Sequence, residues 1–337
     1  MNNVLQTAQA EWIDDLDTGG YGYKMVPLDT LPLALLGVAL EELPPDRAIC
    51  PLHYHLLEEE FLYVLQGELT IRELHGDCLR EFALRAGELI AWLPGTRIAH
   101  QTLNRGEAPA RYLALSDRKA QEVAFYPESG KVLLRGAGVG VLTAVGQAEL
   151  PLDAHFAAAR ALAKLPVQHL ADADRPSHVV SAERVAEKAL GRFGGFGRAL
   201  SRETGVKSVF VNVDRLPPGA RTSDIHAHLA DEEFVFVLAG TPTLRQLPGH
   251  REGRTPVFDA LPEQRRLAPG DAVHWAAGDL VAHQILNEST ADVTLLVVGT
   301  DLMHDIVLYP ERGQVYVAAI DILGSLRVTE YMAGESR

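Results

Sequence analysis

The sequence predicts an all-β protein made of two tandem β-barrels joined by a short helical connector. Three observations lead there. One motif-bearing unit occurs twice in register, each copy consists of short strand-like runs broken by turns, and the stretch between the copies is alanine-rich with helical spacing.

The repeat comes first. PLHYHLLEEEFLYVLQG (51–67) recurs as DIHAHLADEEFVFVLAG (224–240), and an offset of 173 residues joins His53 to His226, His55 to His228, Glu60 to Glu233 and Gly67 to Gly240. LPP at 43–45 and 216–218, and Arg72 with Arg245, keep this offset. A second block, GELIAWLPGTRIAHQTLN (87–104), recurs as GDAVHWAAGDLVAHQILN (270–287) at an offset of 183, which also relates YPESGKV (126–132) to YPERGQV (309–315). The ten-residue difference places an insertion in the second copy. The stretch 247–266, rich in Pro, Gly and charge, reads as an extended hairpin loop.

Within each copy, FLYVLQGELTIREL and FVFVLAGTPTLRQL are β-branched and aromatic runs interrupted by glycine. Between the copies, AHFAAARALAKL (154–165) and SAERVAEKALG (181–191) have helical spacing, with Ser181 to Glu183 as a start signal and Gly191 as a stop. The expected domains are therefore 1–150, a helical connector at 151–195, and 196–337.

Composition narrows the partners. The 337 residues are 47% hydrophobic and 23% charged, an ordinary globular balance. A formal charge of −14 argues against nucleic acid and anionic membrane. The acidic start has no apolar signal core, and Leu31 to Leu40 is too short to span a bilayer, so a cytoplasmic protein is expected. Cys50 and Cys78 cannot form a disulfide framework and do not have metal-site spacing. The partner expected is a small-molecule substrate or ligand. The apolar segment LPLALLGVAL could mediate a homodimer or pack within the chain.

The repeated polar residues suggest a metal. His53 and His55 are two apart, so on one strand both imidazoles project from one face. Glu60 begins the next strand and His100 belongs to a later one, and a barrel interior can gather all three elements. Three neutral imidazoles and one carboxylate suit a first-row divalent ion with positions left open. His226, His228, Glu233 and His283 repeat the set, so one divalent transition metal per domain is expected, with Fe, Mn, Ni and Zn not distinguished by ligand type. Glu59 and Glu232 are alternative ligands, but spacing to Gly67 and Gly240 favours their neighbours.

These residues resemble the cupin superfamily, and the duplication resembles its two-domain bicupins. Gly-x5-His-x-His-x3–4-Glu-x6-Gly is approximated by His53, His55, Glu60 and Gly67, and by His226, His228, Glu233 and Gly240. The second motif is approximated by Gly87, Pro94, Gly95, His100 and Asn104, and by Gly270, Gly278, His283 and Asn287. Asp46 stands where a glycine is expected, and Ala277 replaces a proline. The resemblance implies jelly-roll barrels and a metal in each.

Around the proposed centres, Trp92 and Trp275 are either an aromatic wall or core filling. Arg72 and Arg245 either clamp an anionic substrate or lie exposed on a strand. Alternation points Gln101 and Gln284 away from the ion, and Tyr126-Pro127 and Tyr309-Pro310 read as a shared turn. No catalytic residue is assigned. The resemblance is compatible with three functions. The leading one is an Fe(II)-type dioxygenase; the others are a metal-dependent isomerase or lyase of a sugar or carboxylic acid, and a non-catalytic small-molecule binder.

Overall fold

A computed structural model describes residues 3–16, 19–26, 31, 33–136, 139–144 and 165–325. The chain divides into two compact units, Met1–Ala186 with Arg198–Asn212, and Glu187–Gly197 with Val213–Arg337. Both are β-structures, and the described residues form jelly-roll barrels.

In the first unit, a seven-stranded sheet runs in the order Val179–Ser181, Glu88–Trp92, Glu60–Gln66, Ala110–Ser116, Gly37–Leu43, Gly22–Val26, Ile13–Leu16. A second sheet orders Val167–His169, Cys78–Arg85, Glu68–His75, Ala99–Asn104 and Arg47–Ala48. The core lies between them: Leu62, Val64, Ile90 and Tyr112 from the first pack with Leu69, Ile71, Phe82 and Leu84 from the second, all at most 3% exposed. Strand alternation explains the sorting, because residues two apart share a face. The same register puts Glu60 between Trp92 and Ser116, so the inward face carries the carboxylate into the barrel.

The second unit repeats this plan. Glu233–Ala239 lies between Asp271–Trp275 and Val293–Thr300, with Glu233 paired to Trp275 and Gly299. Thr243–Pro248 lies between Glu263–Arg266 and Val281–Leu286 in a three-stranded sheet. The insertion is a hairpin, as its composition predicts: His250–Glu252 pairs with Thr255–Val257, and Glu263–Arg266 returns the chain to the sheet.

Gly240 closes the turn after Glu233–Ala239 with φ of 84°, and a Cβ there would meet the Asp292 carbonyl at 2.7 Å. Only glycine fits both constraints. Asp46 occupies the place of Gly219 and adopts the same left-handed backbone, φ 58° against 83°. Aspartate tolerates that region better than most side chains, which accounts for the departure from the glycine pattern.

The helical reading of 181–191 is corrected. Val179–Ser181 is a strand paired to Glu88–Ile90, followed by a single 3-10 turn at Ala182–Arg184 and a two-residue strand at Lys188–Ala189. Edge pairing and burial of Val180 and Ala182 override the helical propensity of the alanines. The other helical run, 154–165, lies outside the described residues except for its last position.

Candidate metal centres

Backbone pairing brings each HxH segment to the last histidine. His53 and His100 exchange two backbone hydrogen bonds, N to O distances 3.1 and 2.8 Å, and His226 and His283 do the same at 3.1 and 2.7 Å. In each unit the turn before the last histidine carries a repeated left-handed residue, Arg97 at φ 59° and Leu280 at φ 56°. A non-glycine residue there is held by its surroundings, and such positions concentrate at functional sites.

The eight side chains expected to bind metal converge in two groups. Ligand atoms of His226, His228, Glu233 and His283 lie within 4.8 Å of one another, as do those of His53, Glu60 and His100. His55 joins the second group through its Nε2, 3.2 Å from a Glu60 oxygen, while His100 Nε2 is 2.8 Å from the same oxygen. In the other unit, His283 and His228 Nε2 are 3.1 and 3.6 Å from Glu233.

The opposite edge of each ring shows what these groups need. His53 Nδ1 donates to the Pro51 carbonyl at 3.0 Å, His226 Nδ1 to Asp224 O at 3.0 Å, and His283 Nδ1 to Val281 O at 3.0 Å. Carbonyls accept only, so the proton sits on Nδ1 and a neutral ring turns the Nε2 lone pair inward. Lone pairs and a carboxylate oxygen then face one another, an arrangement that a cation bound among them would satisfy. A divalent metal in each domain fits this donor set.

Burial, with the charge of neighbouring histidines, lowers His53 and His226 to about 3, which keeps them neutral and competent as ligands. Burial works against an ionised Glu60, but His100 and His55 outweigh it and hold the carboxyl well below its ordinary range. At His55 burial is likewise overcome, here by Glu60 and Glu122, and the ring is raised to about 10.

Sequence reasoning missed the residues that orient these ligands. His228 Nδ1 meets Asp305 at 2.7 Å, and Asp305 also accepts from the backbone of Ala230 and Asp231. Glu122 takes the equivalent place, 3.6 Å from His55 Nδ1. Both acids keep the offset of 183 and stand four residues before the repeated Tyr-Pro, so the signal was available. A carboxylate behind a ligating imidazole fixes the ring and raises its basicity. Tyr126 and Tyr309 do more than close a turn, since each stacks over the first histidine, with centroids 5.6 and 6.0 Å apart.

The remaining predicted residues divide. Trp92 and Trp275 are buried and stack on His100 and His283, with centroids 3.8 and 3.7 Å apart, so they fill core and buttress a ring at once. Trp92 Nε1 donates to Glu73 at 3.0 Å. Arg72 and Arg245 are not brought to the centres. Arg72 pairs with the buried Glu81 at 2.7 Å and donates to Gln101, while Arg245 donates to Gln284 and pairs with Glu311. Those glutamines are engaged outside the ligand clusters, donating to Cys50 O and Ser223 O. Glu59 and Glu232 also face away: Glu59 accepts from the backbone of Lys207 and Ser208, and Glu232 meets His274 at 2.6 Å.

A family model described as Cupin domain matches residues 39–116 and 212–299, the two regions that hold the centres. The chain is a bicupin. Its fold is similar to that of the oxalate decarboxylase of Lactobacillus farciminis in a formate complex, with a TM-score of 0.55 and 16% identity over 89% of this chain and 86% of that one. A deletion mutant of Bacillus subtilis oxalate decarboxylase gives 0.56 and 15% over 89% and 77%. At these identities the likeness concerns fold alone. A search of curated protein sequences finds no match. Among the described residues of the bicupin, no helix is long and apolar enough to cross a membrane.

Proposed function

We propose that the bicupin is a metal-dependent enzyme acting on a small organic molecule, that its ligands are His53, His55, Glu60 and His100 in one barrel and His226, His228, Glu233 and His283 in the other, and that the N-terminal centre is the catalytic one. One observation carries this reading. A cavity of about 860 Å³ has His55 and Glu60 in its wall, so the N-terminal centre is reachable by a substrate. That volume falls in the range of small-molecule clefts.

A bound divalent ion would supply Lewis acidity and, if redox-active, electrons for dioxygen chemistry. The chain's own residues do the positioning. Glu122 holds His55 from behind, Tyr126 stacks on His53, and Trp92 stacks on His100. An Fe(II)-type dioxygenase is the leading chemistry, in which turnover consumes oxygen.

The test is dioxygen uptake by Fe(II)-loaded protein across phenolic and carboxylic substrates, with products followed by NMR. Substrate-dependent uptake supports the dioxygenase. Turnover with a flat oxygen trace assigns an isomerase or lyase instead, and saturable binding without turnover would refute catalysis.

A further inference from the structure

The cavity over the N-terminal centre has a chemical character that the duplicated ligands do not explain. Its apolar wall is Ile13, Met25, Leu31, Leu33, Val38 and Leu115. Gly37, Ala39 and Ala114 keep it open, since side chains at these inward positions are minimal. The register places Ser116 beside both Gly37 and Glu60, and a Cβ on Gly37 would lie 2.3 Å from the Ser116 hydroxyl.

The polar part of the lining is His55, Glu58, Glu60, Ser116 and two arginines, Arg118 and Arg135. Arg135 pairs with Glu58, whose carboxyl belongs to a cluster with His55 and Glu122 within 4.8 Å, so this guanidinium stands close to the metal ligands. Arg118 donates to the Leu33 carbonyl at 3.3 Å and has no carboxylate partner among the described residues. Both arginines also line a second cavity of about 570 Å³, which puts them where the two spaces meet. Arg118 is exposed and solvated, and with no carboxylate partner among the described residues its guanidinium is available to an entering anion.

The internal repeat isolates this feature. At the offset of 183 that preserves His100 and Glu122 in kind, Arg118 becomes Asp301, Arg135 becomes Ala318 and Ala114 becomes Val297. The proposed metal ligands are duplicated, whereas the two arginines and the small Ala114 of this cavity are not.

We propose that the N-terminal cavity takes a small carboxylate with an apolar body, its carboxylate held by Arg118 and Arg135 and its hydrocarbon or aromatic part set against the aliphatic wall. This rests on reading the N-terminal centre as the active one. Sugars fit less well, because hydroxyls all round the ring would meet the aliphatic side of the wall as well as its polar side. Oxalate fits poorly too, because it has no apolar part and would leave most of the space unfilled.

The test is calorimetric binding to the full-length chain loaded with Zn(II), using phenylpyruvate and 2-oxohexanoate as probes. Methyl phenylpyruvate, oxalate and glucose 6-phosphate are the comparisons. The two carboxylates bind with one site per chain, and the ester binds roughly tenfold or more weakly because a charge-assisted contact is lost. Arg118→Gln and Arg135→Gln each weaken the carboxylates about tenfold. Arg118→Lys and Arg135→Lys restore part of the loss, which controls for folding, and Asp301→Asn has no effect.

No carboxylate binding, equal binding of the ester, preference for the sugar phosphate, or unchanged affinity in an Arg118→Gln/Arg135→Gln double variant would overturn the proposal. Metal content, measured on the same samples, separates the two readings. Arginine-dependent carboxylate binding without metal uptake removes the enzymatic reading and leaves this one, and metal uptake with arginine-independent binding does the reverse.

Discussion

Replacing Glu41 by glutamine tests the interior electrostatics of the first barrel. Glu41 is 6% exposed and accepts a 2.6 Å hydrogen bond from the Tyr112 hydroxyl. Burial, only partly offset by that bond, raises its carboxyl from 4.5 to about 7. Between those values the folded state holds a proton that the unfolded chain has released, so stability falls as pH rises through this window. At about 1.4 kcal/mol per pH unit, the shift amounts to roughly 3 kcal/mol lost between pH 4.5 and pH 8.

Glutamine keeps an oxygen to accept from Tyr112 and cannot ionise. The variant should therefore match the parent near pH 4.5 and exceed it by up to about 3 kcal/mol at pH 8. Urea denaturation of both proteins at four pH values, metal-free and metal-loaded, measures the difference. The metal-free comparison tests the full shift, because Glu60 also raises Glu41 and a cation bound there would reduce that part of it. A difference independent of pH, or one largest at low pH, would refute the reasoning. Asp214 occupies the equivalent position in the second repeat and is likewise raised by burial to about 7, so Asp214→Asn should show the same sign.

Two further outcomes follow from local geometry. Gly240→Ala combines a left-handed backbone with a Cβ 2.7 Å from a carbonyl and should cost about 2–4 kcal/mol, whereas Gly219→Ala, with open space around it, should cost only about 1. Equal melting shifts would contradict this. Asp305→Ala removes the carboxylate behind His228 and should weaken metal binding at the second centre roughly 10–100-fold while sparing the first, as read by chelator competition.

Much of the fold and of the metal centres was legible because the duplication separates signal from noise. A single His53-x-His55 pair is ambiguous, but the same spacing at His226 and His228, with Glu233 and His283 in register, singles out one set of side chains. The strand register then does what period-two alternation demands, bringing Glu60 inward and turning Glu59 to backbone amides.

What stayed hidden depends on contacts between distant segments. Glu122 reads as one acid among many until the sheet places it behind His55. Arg118 and Arg135 lack repeated counterparts, so the search that found the ligands passed over the residues that distinguish the two barrels. The alanines of 181–191 favour a helix locally, but the strand before them finds an edge at Glu88–Ile90 and draws the segment into extended and 3-10 structure.

The central claim is that a cation sits among three imidazoles and a carboxylate in each barrel. Elemental analysis of protein loaded with Fe(II), Mn(II), Ni(II) or Zn(II) and then desalted should find two ions per chain, and one in a His53→Ala/His100→Ala variant. Protein that retains none of the four metals would contradict it.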